Sequence, residues 1–338
     1  WGGVLVPPTN PPPPPAPLNQ LTLSVDHAAE SEARRLDREV DATAAFLSDP
    51  AESIRVRENG PLRARIEVSR SLGKHSRIVQ TYTLAAGSPR LDVETLVDWH
   101  EERRLLRATF PLDVTSPRAT CDLPFGVVER PAHEGQGSQP DSAEDCVQRF
   151  VVVSEAGFGV ALLNDSKYGH SWRDGALRLS LLRSPVGADP AVDRGEHRFT
   201  YSLMPFAGDW RTAGVLHETE KLNAPLQLLR APAGSSPSPT AERTWAPFEV
   251  EVPAGSSSTP VIDAFKGAEE GGVCLRLHEH GGGRGEVIVH WRLDVEAVET
   301  VNLMEEPRSC DGFVHVGRMT RLTLAPFEIS TLRVRLRR

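Results

Sequence analysis

Between residues 54 and 99, apolar and polar side chains alternate with a period of two. Residues 62–69 read Leu-Arg-Ala-Arg-Ile-Glu-Val-Ser, and residues 76–84 and 91–99 repeat the alternation, with Gly- and Pro-containing turns between them. Side chains on a strand point alternately to opposite faces, so the pattern predicts antiparallel strands with one buried face. Further short strands are expected at 54–60, 105–114, 126–129, 150–154, 158–164, 177–182 and 199–204. From 159 to 205 the chain reads strand, polar loop, strand, polar loop, strand, with the reactive side chains in the loops. No helix of ordinary length fits between these strands. Residues 131–145, rich in Gly, Gln, Ser and Glu, are expected to form a loop.

The ends differ from this middle. Residues 7–17 hold a run of prolines, which fixes φ and removes backbone donors and so predicts a polyproline II linker or leader. Residues 26–47 are dominated by Ala, Leu, Glu and Arg and end at Ser-Asp-Pro, which predicts a helix. Its apolar stripe is poor, so a surface connection is expected. Residues 231–243, dense in Pro, Ser and Gly, read as a linker. Beyond it, short strands at 248–252, 273–279, 286–291, 297–303, 322–324 and 331–336 suggest a smaller β-sandwich, with the glycines at 281–283 closing a hairpin. The expected organisation is a leader and helix at 1–53, a large β domain at 54–230, a linker at 231–244 and a β-sandwich at 245–338.

Composition narrows the function. The chain has 338 residues and a formal net charge of −8, with 39% hydrophobic and 25% charged residues. Those proportions are ordinary for a globular protein, and the acidity argues against a nucleic-acid partner. The four cysteines form no CxxC pair, which fits reduced thiols better than a disulfide framework and leaves one or two bridges open. No apolar run reaches the ~18–20 residues that a spanning helix needs, so no membrane partner is expected. The chain opens Trp-Gly-Gly, without Met and without a signal-peptide pattern, so its native start is expected upstream.

Candidate chemistry is sparse. Asp98, Glu101, Glu102, Glu129, Asp165 and Glu196 are carboxylates near strand ends, and spacing alone does not separate a catalytic pair from solvated ends. His278 and His280 fall on one face of a predicted strand, two ligands short of a complete metal site. His100, His170 and His197 are lone. There is no GxSxG, no P-loop and no HExxH. Trp99, Tyr168, Trp172, Phe206 and Trp210 stand near polar loops, where aromatic faces can stack on sugars or pack the core.

Several segments in order resemble the C-terminal half of the glycoside hydrolase family 38 alpha-mannosidases, nearest to the cytosolic, neutral-type branch. They are Asp98 to Glu101, Phe125 and Gly126 with Glu129 to Pro131, and Gly-Val-Ala-Leu-Leu-Asn-Asp-Ser-Lys-Tyr-Gly at 159–169. Leu-Arg-Leu-Ser-Leu-Leu-Arg-Ser-Pro at 177–185 and Gly195 to His197 with Phe199 to Tyr201 follow. The terminal domain adds Leu275 to Leu277 with Glu279, Gly282 to Gly285, Asn302 with Glu305 to Pro307, and Pro326 to Leu332. The match runs over about 54–338. Before residue 54 and within 141–150 the chain departs from the family pattern.

The resemblance implies an all-β chain, with a galactose-mutarotase-like supersandwich followed by a small β-sandwich. It implies a retaining, zinc-dependent enzyme acting on oligomannose. Zinc and the Asp nucleophile would belong to an N-terminal α/β barrel, whose motifs this chain does not match, so no catalytic residue and no metal ligand is assigned here. Loops of the sandwich would close over the barrel. By position Asn164, Asp165, Lys167, Tyr168, Arg183, Glu196 and His197 would approach sugar, and Arg183, with its planar fork of donors, suits hydroxyl clamping. The implied location is cytoplasmic, with vacuole or lysosome second, and an oligomer stays open. Two alternatives remain: a free-standing carbohydrate-binding β module, and a purely structural sandwich.

Overall fold

The structure is a computed structural model that describes residues 17–26, 43–132, 144–185, 192–228 and 245–337. Two sheets build the larger domain. The six-stranded sheet runs in the spatial order Asp145–Cys146, Gly169–Arg173, Ala176–Arg183, Arg104–Pro111, Gln20–Val25 and Ala45–Phe46. The nine-stranded sheet runs Ser53–Asn59, Arg63–Leu72, Ser76–Ala85, Leu91–Trp99, Gly195–Ala207, Phe158–Asn164, Phe150–Glu155, Arg118–Leu123 and Gly126–Pro131. Neighbouring strands are antiparallel throughout.

Alternation decides which side chains enter the core. Val93, Val97 and Trp99 turn inward from Leu91–Trp99, while Glu94 and Asp98 turn out. They meet Leu106, Ala108 and Phe110 and Leu177 and Leu179 from the facing sheet. Strands Phe150–Glu155 and Phe158–Asn164 are continuously apolar because they are buried on both faces. Their second face carries Phe150, Val152, Ala161 and Leu163, joined by Met204, Phe206 and Trp210. A helix, Val215–Asn223, closes this second core with Val215 and Leu216, and Val261 reaches in from the terminal domain.

The terminal domain is a sandwich of two four-stranded sheets. One is ordered Phe248–Glu251, Gly285–Trp291, Met319–Leu324, Val314–Val316. The other is ordered Pro260–Gly267, Val273–Glu279, Ile329–Leu336, Val295–Val301. Leu275, Leu277, Val287, Val289, Trp291, Leu322, Leu332 and Val334 fill the space between them.

The all-β expectation holds, and strands at 91–99, 158–164 and 273–279 have the bounds read from the sequence. Three local readings change. Gln20–Val25 is an interior strand of the six-stranded sheet, upstream of where β structure was expected to begin. Of the expected helix at 26–47, residues 27–42 lie outside the described residues, and the described end holds the short strand Ala45–Phe46. Helix propensity there yields to pairing with Gln20–Val25. The glycines at 281–283 do not close a hairpin, because Val273–Glu279 and Gly285–Trp291 belong to different sheets. They carry the chain across the sandwich past Ser257, whose carbonyl oxygen lies 1.8 Å from where a Cβ on Gly283 would stand. The proline run before Pro17 and the linker at 231–244 lie outside the described residues.

A polar network ties Gln20–Val25 into the sandwich. The Tyr201 hydroxyl donates to Asn19 Oδ1 at 2.7 Å and accepts from Gln80 Nε2 at 2.6 Å. Asn19 Nδ2 donates to the Tyr82 hydroxyl at 2.8 Å. Tyr201→Phe takes a hydrogen-bond partner from the buried Gln80 and from the half-buried Asn19, so it is expected to lower unfolding stability by about 1–3 kcal/mol in a urea titration. An unchanged midpoint and slope would show that the network carries no weight.

Candidate functional site

The loop that follows Phe158–Asn164 is built around a buried amide. Asn164 is 1% exposed. Its Oδ1 accepts the backbone N–H groups of Ser166 at 3.1 Å and Lys167 at 2.7 Å, and its Nδ2 donates to the Gln148 carbonyl at 3.1 Å. Asn164 therefore fixes the loop and has no free edge for a ligand. Asp165 is exposed; it accepts the Thr200 N–H at 2.8 Å and the Ser166 hydroxyl at 2.9 Å. Lys167 places Nζ 4.1 Å from the centre of the Phe199 ring. Burial pulls its ammonium below the ordinary lysine value, against the opposing pull of Asp193 and Asp165. Tyr168 is 54% exposed and stands on the surface.

The other expected contacts lie elsewhere. Arg183 grips Asp26, with Nε donating to Oδ2 at 2.7 Å and a terminal nitrogen donating to Oδ1 at 3.2 Å. Asp165 follows Phe158–Asn164 in the nine-stranded sheet, whereas Arg183 ends Ala176–Arg183 in the six-stranded one. Glu196 is exposed beside Asp98 on the next strand. His197 Nε2 lies 2.6 Å from the Asp193 carbonyl oxygen. The structure thus groups Asp165, Lys167, Phe199 and Thr200, and separates Arg183 from them.

The remaining candidates are mostly structural. Trp99, Trp172, Phe206 and Trp210 are 0%, 5%, 7% and 4% exposed and pack the two cores. Glu101 accepts the N–H groups of Lys74 at 2.9 Å and His75 at 2.8 Å and so closes the turn before Ser76–Ala85. Glu129 accepts from the Thr120 hydroxyl at 2.5 Å, and Asp98 contacts His100 at 2.7 Å. His170 is 2% exposed. Its Nδ1 faces the Tyr168 carbonyl at 3.3 Å and its Nε2 has no partner among the described residues.

A cluster that sequence reading did not assemble lies at the joint between the domains. His280 Nε2 is 2.8 Å from Asp122 Oδ1, His278 Nε2 is 2.8 Å from His280 Nδ1, and His278 Nδ1 is 2.8 Å from Asp263 Oδ2. Asp122 belongs to the large domain and the other three to the terminal one. Arg149 backs Asp122, donating from its backbone N–H and its Nε to Oδ2, each at 3.0 Å. Burial works against the Asp122 charge, but the hydrogen bonds from His280 and Arg149 outweigh it and hold the carboxyl below its ordinary value. The His-x-His spacing pointed to half of this cluster; Asp122 and Asp263 gave no local signal.

Two profiles match in series. The Glycosyl hydrolases family 38 C-terminal domain matches residues 18–191, more than half of the chain, and the family 38 C-terminal beta sandwich domain matches residues 259–332. The chain belongs to glycosyl hydrolase family 38. Its family 38 relatives include alpha-mannosidase 2C1 of Mus musculus, 34% identical over 286 residues, which are 83% of this chain and 27% of that protein. Alpha-mannosidase 2C1 of Homo sapiens is 35% identical over 282 residues, 83% of this chain and 26% of that protein. The chain therefore spans about a quarter of the length of these relatives. A crystal structure of an alpha-mannosidase from Enterococcus faecalis V583 superposes with a TM-score of 0.72 at 17% identity, over 94% of this chain and 38% of that one.

The family 38 fold extends upstream of residue 54, since the first profile begins at residue 18, just before the strand Gln20–Val25. The zinc implied by the resemblance has no fitting site among the described residues. Nitrogens that bind zinc converge on it from about 2.0–2.1 Å. Those of His278 and His280 instead face each other at 2.8 Å in a hydrogen bond. Among the described residues no group of three or more His, Cys, Asp or Glu side chains is arranged to hold a metal, and no helix is long and apolar enough to cross a membrane.

Two outcomes follow from this geometry. Arg183→Ala leaves Asp26, a side chain 2% exposed, without its arginine. The expected loss is about 1.5–3 kcal/mol, the usual range for hydrogen bonds to charged groups. Chemical denaturation measures it, and an unaltered midpoint would contradict the assignment. His170 supplies a pH dependence. Burial lowers its value from 6.5 to about 4. The unfolded chain binds this proton first, so the stability it confers is complete above about pH 6.5 and is lost as pH falls toward about 4. At roughly 1.4 kcal/mol per unit, the loss approaches about 3 kcal/mol. A His170→Phe variant is expected to show a flatter acid limb in thermal denaturation; a limb as steep as in the parent would refute it.

Proposed function

We propose that this chain is the non-catalytic C-terminal β portion of a retaining alpha-mannosidase that removes terminal alpha-mannosyl residues from oligomannose. The observation that carries the reading is the match to relatives named alpha-mannosidase, which spans both β domains yet covers only about a quarter of each relative. The catalytic barrel, with its zinc and nucleophile, would be the missing partner. Among the candidates, Asp165, Lys167, Tyr168 and Glu196 remain available to line its sugar site. A cytoplasmic location is proposed from the resemblance to the neutral-type branch.

An exposed apolar patch supports the reading of a docked partner. Ser53–Asn59 is an edge strand of the nine-stranded sheet. The sheet's core-facing side there leaves Ile54, Val56, Ile66 and Leu84 at 69%, 69%, 44% and 51% exposure. An apolar shelf of this kind usually marks a binding surface. A cavity of about 420 Å³ adjoins it, lined by Leu18, Phe46, Leu47, Arg70 and Tyr82 among others.

The purified chain is expected not to hydrolyse an aryl alpha-mannoside, with or without added zinc, and not to bind oligomannose measurably by calorimetry. Sequencing the transcript upstream of Trp1 is expected to reveal a barrel with a His-x-Asp pair and an Asp nucleophile. Turnover that a chelator abolishes and zinc restores would overturn the reading. Tight stoichiometric binding of oligomannose by the chain alone would favour the carbohydrate-binding module instead.

A further inference from the structure

The contacts Asp122–His280, His280–His278 and His278–Asp263 are each 2.8 Å long. Every one of them needs a hydrogen between its two heavy atoms. A neutral imidazole carries one N–H, so two neutral rings supply two hydrogens for three contacts. If His280 donates to Asp122, its bare Nδ1 accepts from His278 Nε2–H. His278 Nδ1 is then bare and faces a carboxylate oxygen, acceptor against acceptor. A third proton removes the conflict.

We propose that the Asp122–His280–His278–Asp263 chain holds three protons, with one imidazolium shared by the two histidines, and that this proton locks the terminal sandwich onto the large domain. His278 and His280 side chains are 3% and 0% exposed, and Asp122 is 0% exposed, so water does not stand in for a lost hydrogen bond. Only Asp263, at 21%, reaches solvent and gives the proton a way out.

The surroundings fit one positive charge. From the strand Arg118–Leu123 comes the Asp122 carboxylate. Arg149, on the segment before Phe150–Glu155, pairs with Asp122 and also donates to Glu220 of the helix at 2.5 Å. From Pro260–Gly267 comes the Asp263 carboxylate, which has no other cation within ion-pair distance among the described residues. Glu279 lies between the histidines in sequence but faces away, taking the N–H groups of Thr259, Gly281, Gly282 and Phe327. Arg211 reaches the same turn and donates to the Gly281 carbonyl at 2.9 Å. Phe125 and Phe150 close the sides, 5.4 Å from the His278 ring and 6.2 Å from the His280 ring. Removing the proton leaves two carboxylates and no imidazolium in this enclosure. The lock therefore weakens as pH rises, opposite in sign to the effect of His170.

Nitrogen-15 NMR of the full chain near neutral pH counts the protons. Three N–H groups over the two rings are expected; one on each ring would overturn the proposal. A second test uses Asp263→Asn, whose amide can donate to the bare Nδ1 and complete the chain with two neutral rings. The parent is expected to lose a few degrees of melting temperature as the buffer is taken from mildly acidic to alkaline. The variant is expected to lose less. An equal fall in both would refute the lock, and should the variant fail to fold, the proton count on the parent still decides.

Discussion

Two strands of the nine-stranded sheet, Phe150–Glu155 and Phe158–Asn164, have to bury both of their faces, and the joint between the domains is arranged around that requirement. One face is covered by the six-stranded sheet over the larger core. On the other, Phe150, Val152, Ala161, Leu163 and Phe206 need a second cover, and Trp210, the helix and Val261 of the terminal sandwich provide it. The burial of one such side chain is worth about 1.5–3 kcal/mol, so a handful decides whether the two domains stay together. The terminal sandwich is thus part of the large domain's packing as well as a domain with its own core.

That docking brings a carboxylate into a dry seam. Asp122 sits on the strand next to Phe150–Glu155, and covering the sheet removes it from water. A buried charge is costly unless paired and fully hydrogen-bonded. Arg149 answers from the same domain, and His280 answers from the other. The second answer makes the charge a contact between domains. Glu279 does comparable work beside it: fully buried, it gathers four backbone N–H groups and shapes the turn that holds the histidines. Apolar burial supplies the attraction, and the polar chain sets where the domains meet.

The parts of the fold legible in the sequence were the strands with one wet face. Leu91–Trp99 announces itself because Asp92, Glu94 and Asp98 alternate with Val93 and Val97. Gln20–Val25 alternates as well, but its polar members Thr22 and Ser24 are buried at 4% and 0%, so its alternation does not separate a wet face from a dry one. The sheet face they belong to also buries Arg107 at 1%, ion-paired with Glu144 at 2.8 Å, so polar letters there do not mark solvent. Pro260–Gly267 was obscured by its leading proline, which an edge strand tolerates. Gly169–Arg173 is five residues long and was read as loop. At the joint, the period of two placed His278 and His280 on one face, but Asp122 lies 158 residues away and no local pattern announces it.

The candidate residues carried by resemblance divide by what they already hold. Asn164, Arg183 and His197 spend their polar atoms on the loop backbone, on Asp26 and on the Asp193 carbonyl. The Tyr168 and Glu196 side chains have no hydrogen-bond partner among the described residues and are exposed. Under the proposed function, such a division suits a contact surface lent to another domain. A side chain that must meet a ligand gains precision when its neighbours' hydrogen bonds fix the backbone beneath it. Asn164 does this for Lys167 through the backbone N–H, and Asp165 binds the same loop to Thr200 on the adjoining strand. The loop is therefore held at its base and open at its tip, where Tyr168 can be substituted without loosening the sheet.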